Sequence, residues 1–190
     1  MKLCFATNNL HKIQEVQAVV GNAFQLVSLQ QIGCLEELPE EQATIEGNSL
    51  QKAQYVFDTY KISCFADDSG LEVEALSGEP GVYSAMYAGP QRSHADNIDK
   101  LLTNLTGVTN RKANFKTVIT FVDSQAQQNQ FTGLLHGTIL NERKGNNGFG
   151  YDPVFQPDGF SKSLAEMSPE EKNNISHRAL AVQKLVNFLK

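Results

Sequence analysis

Residues 65–89 read FADDSGLEVEALSGEPGVYSAMYAG. The stretch opens at the end of the run Ile62 to Ala66, whose mostly apolar side chains suit a buried strand. Two acids follow, Asp67 and Asp68, and then Ser69 and Gly70. Read locally, the strand ends in paired carboxylates and a turn, which presents the acids at a sheet edge where ligands of α/β folds bind. Carboxylate oxygens are hard ligands that suit Mg²⁺, the usual companion of a nucleotide phosphate. The same residues also suit a solvated turn, because Asp, Ser and Gly all favour turns. The choice between the two rests on the chain around them.

Upstream, Lys2–Thr7 reads as a short buried strand. Asn8 and Asn9 can cap a helix on which Ile13, Val16 and Val20 recur at helical spacing and Gly21 is a stop. Phe24–Leu29 reads as a second strand, Gln30–Gln42 as an acidic irregular segment containing Pro39, and Ile45–Tyr60 as a second helix. The first third is therefore strand–helix–strand–helix–strand, the pattern of an α/β sheet. Downstream, Leu71–Leu76 reads as a short strand, Ser77–Pro90 as a shaped loop rich in Gly and Pro, and Ser93–Leu105 as a helix. Phe115–Val122 and Gln130–Leu140 flank a polar turn and predict a long β-hairpin. A glycine-rich loop over Asn141–Gly150 leads into a short strand at Tyr151–Phe155. Ser168-Pro169-Glu170-Glu171 is a helix start with a capping-box Glu, and Ser176 can cap the last helix. The expected fold is α/β, a single domain over residues 1–190 in two lobes. A central mixed sheet is flanked by helices, with a long β-hairpin lobe and the active site in the cleft between.

Composition narrows the function. A hydrophobic fraction of 41% over 190 residues supports a packed core. A net charge of −5, from 16 basic and 21 acidic residues, argues against nucleic-acid binding, which needs a broad basic face. It leaves room for a small anion held by a few local lysines. No apolar run approaches the ~20 residues that span a bilayer, and the N-terminus lacks the long apolar region of a secretory signal. Cys4, Cys34 and Cys64 are odd in number and show no CxxC spacing, so they read as buried, reduced core thiols of a cytoplasmic protein. Ser69 lacks the GxSxG elbow of a serine hydrolase, and His11, His94, His136 and His177 show no HExxH zinc pattern. His94 and His136 read as surface or structural histidines.

Five clusters carry groups suited to phosphate or metal chemistry. Thr7-Asn8-Asn9-Leu10-His11-Lys12 joins a strand to a helix N-terminus, where free N–H groups favour anions and Lys12 can reach a phosphate. Glu40 lies in the acidic Glu36–Glu41 segment, with Lys52 on the following helix. Asp67-Asp68-Ser69 is the third cluster. Gly148-Phe149-Gly150-Tyr151-Asp152-Pro153 pairs close backbone approach with aromatic faces able to stack on a base. Lys172 with Ser176-His177-Arg178 gathers two cations and an imidazole at a helix start, where cations fit the dipole poorly. Each cluster taken singly also reads as capped helix, turn or solvated surface.

With these motifs in order from Thr7 to Arg178, the chain resembles the inosine/xanthosine triphosphate pyrophosphatases, which convert non-standard purine nucleoside triphosphates to monophosphate and pyrophosphate. The resemblance implies that Thr7, Asn9 and Lys12 bind substrate, with Lys12 on the triphosphate. It implies Glu40 as a metal-binding carboxylate and Asp68 as both general base and metal ligand, with Mg²⁺ as cofactor. Ser69 would contact substrate, and Lys52 would lie beside the site. Phe149, Gly150, Tyr151 and Asp152 would hold the base, and Lys172, His177 and Arg178 would read the purine. A homodimer is the assembly it implies. The chain departs from the pattern at Met86, where many relatives carry a cation in SARYAG, and at Gly47-Asn48-Ser49, where a Glu-Asn-Ala is common. A nucleotide sensor without catalysis, or a purely structural domain, would need neither Asp68 nor the other acids.

The expected chemistry follows. Lys12, Lys52, Lys172, Arg178 and Mg²⁺ offset the triphosphate, and water attacks with its proton taken by Asp68 or by Asp67 beside it. Adjacent carboxylates are expected to raise the pKa of one of the pair. Donors from Arg178 and His177 suit a 6-oxo group and would be left unpaired by the adenine amino group.

Overall fold

The computed structural model describes residues 2–21 and 24–190. In chain order the elements are β1 (Lys2–Phe5), α1 (Leu10–Val20), β2 (Gln25–Ser28), α2 (Ile45–Tyr60), β3 (Cys64–Val73), α3 (His94–Asn104), β4 (Lys112–Val122), β5 (Gln128–Ile139), β6 (Phe155–Pro157), α4 (Pro169–Ile175) and α5 (His177–Leu189). The strands form one six-stranded mixed sheet in the order β2-β1-β3-β4-β5-β6. β1 pairs in parallel with β2 and with β3, as the helical connections through α1 and α2 demand, while β5 and β6 are antiparallel. β4 and β5 are the expected hairpin. Among the described residues, no helix is long and apolar enough to cross a membrane.

Two compact units divide the chain. The first holds Met1–Asp68, Thr117–Gly133 and His177–Lys190; the second holds Ser69–Lys116 and Leu134–Ser176. In the first unit, strand alternation sorts side chains by size. Leu3, Phe5 and Phe65 pack with Val16 and Val20 of α1 and with Ala181, Val182 and Leu185 of α5. Cys4, Ala6, Cys64 and Ala66 turn the other way, against Ala53 and Val56 of α2. The register Cys4↔Cys64 and Phe5↔Phe65 places like beside like, and the two phenyl rings stack with centroids 4.5 Å apart. The second unit has its own core, centred on Leu71, Ile98, Leu101, Phe115, Phe155 and Leu164.

The structure corrects one reading that matters for the site. The expected strand end and turn at Asp67–Gly70 do not exist: β3 is continuous for 10 residues from Cys64 to Val73 and absorbs the first half of the strand expected at Leu71–Leu76, whose second half, Glu74–Leu76, is a 3₁₀ turn. Asp67 and Asp68 can stay inside a strand because buried cations meet both of them, Lys12 and Arg178 on Asp67 and Lys52 on Asp68. A smaller difference lies at Tyr151–Phe155, where a 3₁₀ turn at Asp152–Val154 precedes β6.

Candidate active site

The first cluster is built on the start of α1. Asn9 caps the helix: its Oδ1 accepts from the backbone N–H groups of His11 at 3.0 Å and Lys12 at 3.3 Å. Thr7 Oγ1 accepts from the Asn9 N–H at 3.2 Å and shapes the approach. Asn8, Leu10 and His11 are exposed. Lys12 turns inward, with Nζ 3.0 Å from Asp67 Oδ1.

Because β3 runs straight through them, Asp67 and Asp68 project to opposite sides of the sheet. Asp67 follows Phe65 toward α1 and α5 and meets Lys12 and Arg178, whose Nε lies 3.2 Å from Asp67 Oδ2. Arg178 NH1 also pairs with Glu15 of α1. Asp68 follows Ala66 toward α2 and meets Lys52, whose Nζ lies 3.1 Å from Asp68 Oδ1 and 2.5 Å from Glu40 Oε1. Asp68 Oδ2 is buried with no hydrogen-bond partner among the described residues.

The two carboxyls consequently titrate in opposite senses. Burial would push Asp67 up, but Lys12 and Arg178 overcome it and hold the carboxyl far below the usual range. Burial raises Asp68, and Lys52 and Lys12 only partly offset that while the Glu40 charge adds to it. The repulsion expected between adjacent acids is not what separates them, since strand alternation sends each to its own partners. Burial lowers Lys12, whereas Lys52 is raised against its burial by Asp68 and Glu40.

Lys52 is not the exposed helix lysine that its surroundings in sequence suggest; it is buried. Nor are His177 and Arg178 a solvated helix end, for both are buried in the first turn of α5. Gly133 of β5 makes this possible, since a methyl group there would clash with the His177 carbonyl. The cluster joining Lys172 to His177 and Arg178 divides. Arg178 serves the first unit, whereas Lys172 on α4 lies in the second and pairs with Asp152 Oδ2 at 2.7 Å.

That second-unit group is compact. Asp152 Oδ2 also accepts from the Phe149 N–H at 2.8 Å, closing the loop on itself. Lys172 Nζ lies 4.8 Å from the Phe149 ring centroid, a cation–π distance. Tyr151 is not presented for stacking: it is buried, and its hydroxyl donates to the Ser84 carbonyl at 2.8 Å. Phe149 and Gly150 are only partly buried. Gly150 N–H meets His94 Nδ1 at 3.3 Å, so His94 supports this loop. Ser69 is half-buried on β3, and Met86 is exposed.

Sequence reading missed Glu15 and Asn97. Glu15 sits three residues after Lys12 on α1, the spacing that puts both on one helix face. Asn97 is buried; its Oδ1 accepts from the Ala88 N–H and its Nδ2 donates to the Ser84 and Ala85 carbonyls, which anchors the 3₁₀ turn at Gly81–Met86. Its only sequence signal is an amide among the apolar positions of an amphipathic helix.

Metal fit can be tested on these groups. Glu40 and Asp68 converge on one ammonium, and Asp68 keeps an unfilled buried acceptor. No cluster of three candidate metal-ligating side chains occurs among the described residues. Two carboxylates nevertheless suit Mg²⁺, which keeps several waters and takes its other oxygens from phosphate.

Comparison with known proteins decides the kinship. The model of the Ham1 family matches residues 3–188. The chain belongs to the Ham1 family. It is 52% identical over 190 residues to the dITP/XTP pyrophosphatase of Flavobacterium psychrophilum, covering the whole of both chains. It is 50% identical over 189 residues to that of Porphyromonas gingivalis, covering 99% of this chain and 97% of the relative. The solved Ham1 protein of Staphylococcus aureus superposes with a TM-score of 0.91 at 36% identity, over 100% of this chain and 98% of that one.

Proposed function

We propose that this chain hydrolyses non-standard purine nucleoside triphosphates (dITP, ITP and XTP) to the nucleoside monophosphate and pyrophosphate, clearing them from the nucleotide pool. The observation that carries the reading is Asp68: a buried carboxylate whose pKa is raised by burial, with one oxygen unpartnered and the other on Lys52. Such a group takes a proton more readily than an ordinary carboxylate, as a general base must. It stands in a chain half identical to named dITP/XTP pyrophosphatases.

The roles follow from the chemistry. Lys12 and the capped start of α1 bind phosphate oxygens. Asp67 stays ionised and fixes Lys12 and Arg178. Glu40 and Asp68 would hold Mg²⁺, which would supply charge neutralisation to the phosphates. Asp68 accepts the proton of the attacking water, and the bond between the α and β phosphates breaks. Phe149 offers its ring face to the base, with Lys172 and Asp152 fixing the loop that carries it, and Ser69 and His177 contact the nucleotide. Buried, reduced thiols at Cys4, Cys34 and Cys64 accord with a cytoplasmic enzyme, and the assembly is a homodimer.

The test is product analysis with dITP and Mg²⁺. dIMP with pyrophosphate is expected; dIDP with orthophosphate, or binding of dITP without turnover, sinks the assignment.

A further inference from the structure

Glu40 lies in an irregular segment with Pro39 beside it, yet its carboxylate meets a buried lysine. A loop carboxylate has many conformations to lose, so something must hold it. The holding groups lie on α2, where Asn48, Gln51, Lys52 and Tyr55 recur at i, i+3, i+4 and i+7 and form a polar ridge on one face. Asn48 Oδ1 accepts from the Gln42 N–H at 2.8 Å. Gln51 Oε1 accepts from the Glu41 N–H at 2.9 Å, and Gln51 Nε2 donates back to Glu41 Oε2 at 3.2 Å. Tyr55 donates its hydroxyl to Glu36 Oε1 at 3.1 Å, at the other end of the segment. The main-chain donors on the C-terminal side of Glu40 thus go to helix side chains. Gly47 completes the seat, because a Cβ there would lie 2.7 Å from Gln42 Cβ. The glycine found where relatives carry Glu is accounted for: it lets the loop lie down on the helix.

We infer that Gln51 is a positioning residue for the reaction, acting through the two-point grip on Glu41 that sets the neighbouring Glu40 carboxylate. Asn48 anchors the same strand of loop from the next ridge position, so the metal requirement is tuned by a helix face with no metal ligand on it. This rests on the reading of Glu40 as a metal carboxylate.

Three variants test it: Gln51→Ala, the exchanged pair Gln51→Glu with Glu41→Gln, and Glu40→Gln. The exchanged pair restores both hydrogen bonds: the backbone N–H of residue 41 still donates to residue 51, and the side-chain bond runs in the opposite direction, from the new amide at position 41 to the new carboxylate at position 51. In metal-free protein, amide exchange at Glu41 should quicken about three- to tenfold in Gln51→Ala, as expected for loss of one ordinary hydrogen bond. It should return in the exchanged pair, with β3 amides unmoved. The Mg²⁺ concentration for half-maximal dITP hydrolysis should rise by a similar factor in Gln51→Ala and recover in the exchanged pair. Turnover at saturating Mg²⁺ should stay within about twofold, because binding of the metal and not the chemical step is affected. A Gln51→Ala enzyme with wild-type Mg²⁺ dependence, beside a Glu40→Gln enzyme that needs more Mg²⁺, overturns the positioning role and leaves the metal reading standing. A Glu40→Gln enzyme with unaltered Mg²⁺ dependence overturns both.

Discussion

The two units each bury cations against carboxylates, and they do so to different ends. In the second unit the pair Lys172–Asp152 is closed: one cation, one carboxylate, and a main-chain N–H on the same oxygen. The aromatic ring of Phe149 lies against the same ammonium, 4.8 Å from centroid to Nζ. In the first unit the charges form a branched set, with Asp67 held by two cations and Lys52 by two carboxylates. There an oxygen remains open, on Asp68. An ion pair that satisfies all its partners is scaffold. One that leaves an acceptor over is equipped for chemistry, and the cost of burying that acceptor appears as the raised pKa of Asp68.

The sharpest way to break this contrast is at Asp68. Asp68→Asn keeps the shape and removes the base, and turnover with dITP should fall by about 10² to 10⁴, the range of a general base. Stability should move the other way. A group whose pKa is raised by folding favours the folded state at pH below its unfolded value and loses that contribution as pH rises through the folded one. Neutralising Asp68 should therefore leave the protein at pH 7 no less stable than wild type, and calorimetry would decide it. A large drop in Tm would make Asp68 scaffold after all.

Asp67→Asn is the mirror experiment. Its pKa is depressed, so its contribution is present above the ordinary carboxylate value and is lost as pH falls below about 4. Stripping the charge from a fully buried pair leaves Arg178 and Lys12 under-compensated, and denaturant unfolding at pH 7 should show a loss of about 3 kcal/mol. The variant's stability should also fall less steeply than wild type below pH 4. Catalysis should suffer less than in Asp68→Asn.

Those adjacent aspartates show how much of the site was readable beforehand. The residue types and their order, through the family resemblance, singled out nearly every group that the structure finds buried and charged, although each cluster taken alone read as cap, turn or solvated surface. Their allegiances were not readable. Whether Asp67 and Asp68 share one turn or face two layers depends on β3 continuing, and that depends on cations contributed by α1, α2 and α5, far away in sequence. The same gap hid the burial of Tyr151, whose hydroxyl donates to the Ser84 carbonyl some way upstream. Arg178 was read as a donor to the purine, but its Nε and NH1 meet Asp67 and Glu15.

Arg178→Ala accordingly tests a smaller effect. Loss of a charge-assisted hydrogen bond corresponds to roughly ten- to hundredfold in kcat/KM. If Arg178 mainly clamps Asp67, dITP and dATP should fall together. A fall confined to dITP would make it a reader of the 6-oxo group. Smallest of all is the comparison inside the second unit. Phe149→Leu should raise KM for dITP several-fold by removing a stacking face, with little change in Tm. Tyr151→Phe should cost about 1 kcal/mol of stability and leave KM alone. The reverse outcome would exchange their roles.

The sorting of side chains along β1 and β3 has a further consequence. Slip β3 by one residue, and Asp68 would turn toward Lys12 and Arg178 while Asp67 turned toward Lys52. Electrostatics alone would barely object, since each side would still find an acid for its cations. Volume would object at once: Phe65 would be driven against Ala53 and Val56, into space shaped by Ala66, and small side chains would face the large cavity left beside Phe5. Which aspartate faces α2 and Lys52 is thus guarded by the bulk of a phenylalanine two positions before Asp67. A library that kept every charge in this site but exchanged Phe65 and Ala66 would favour the slipped register, with Asp67 on Lys52 and Asp68 on Lys12 and Arg178.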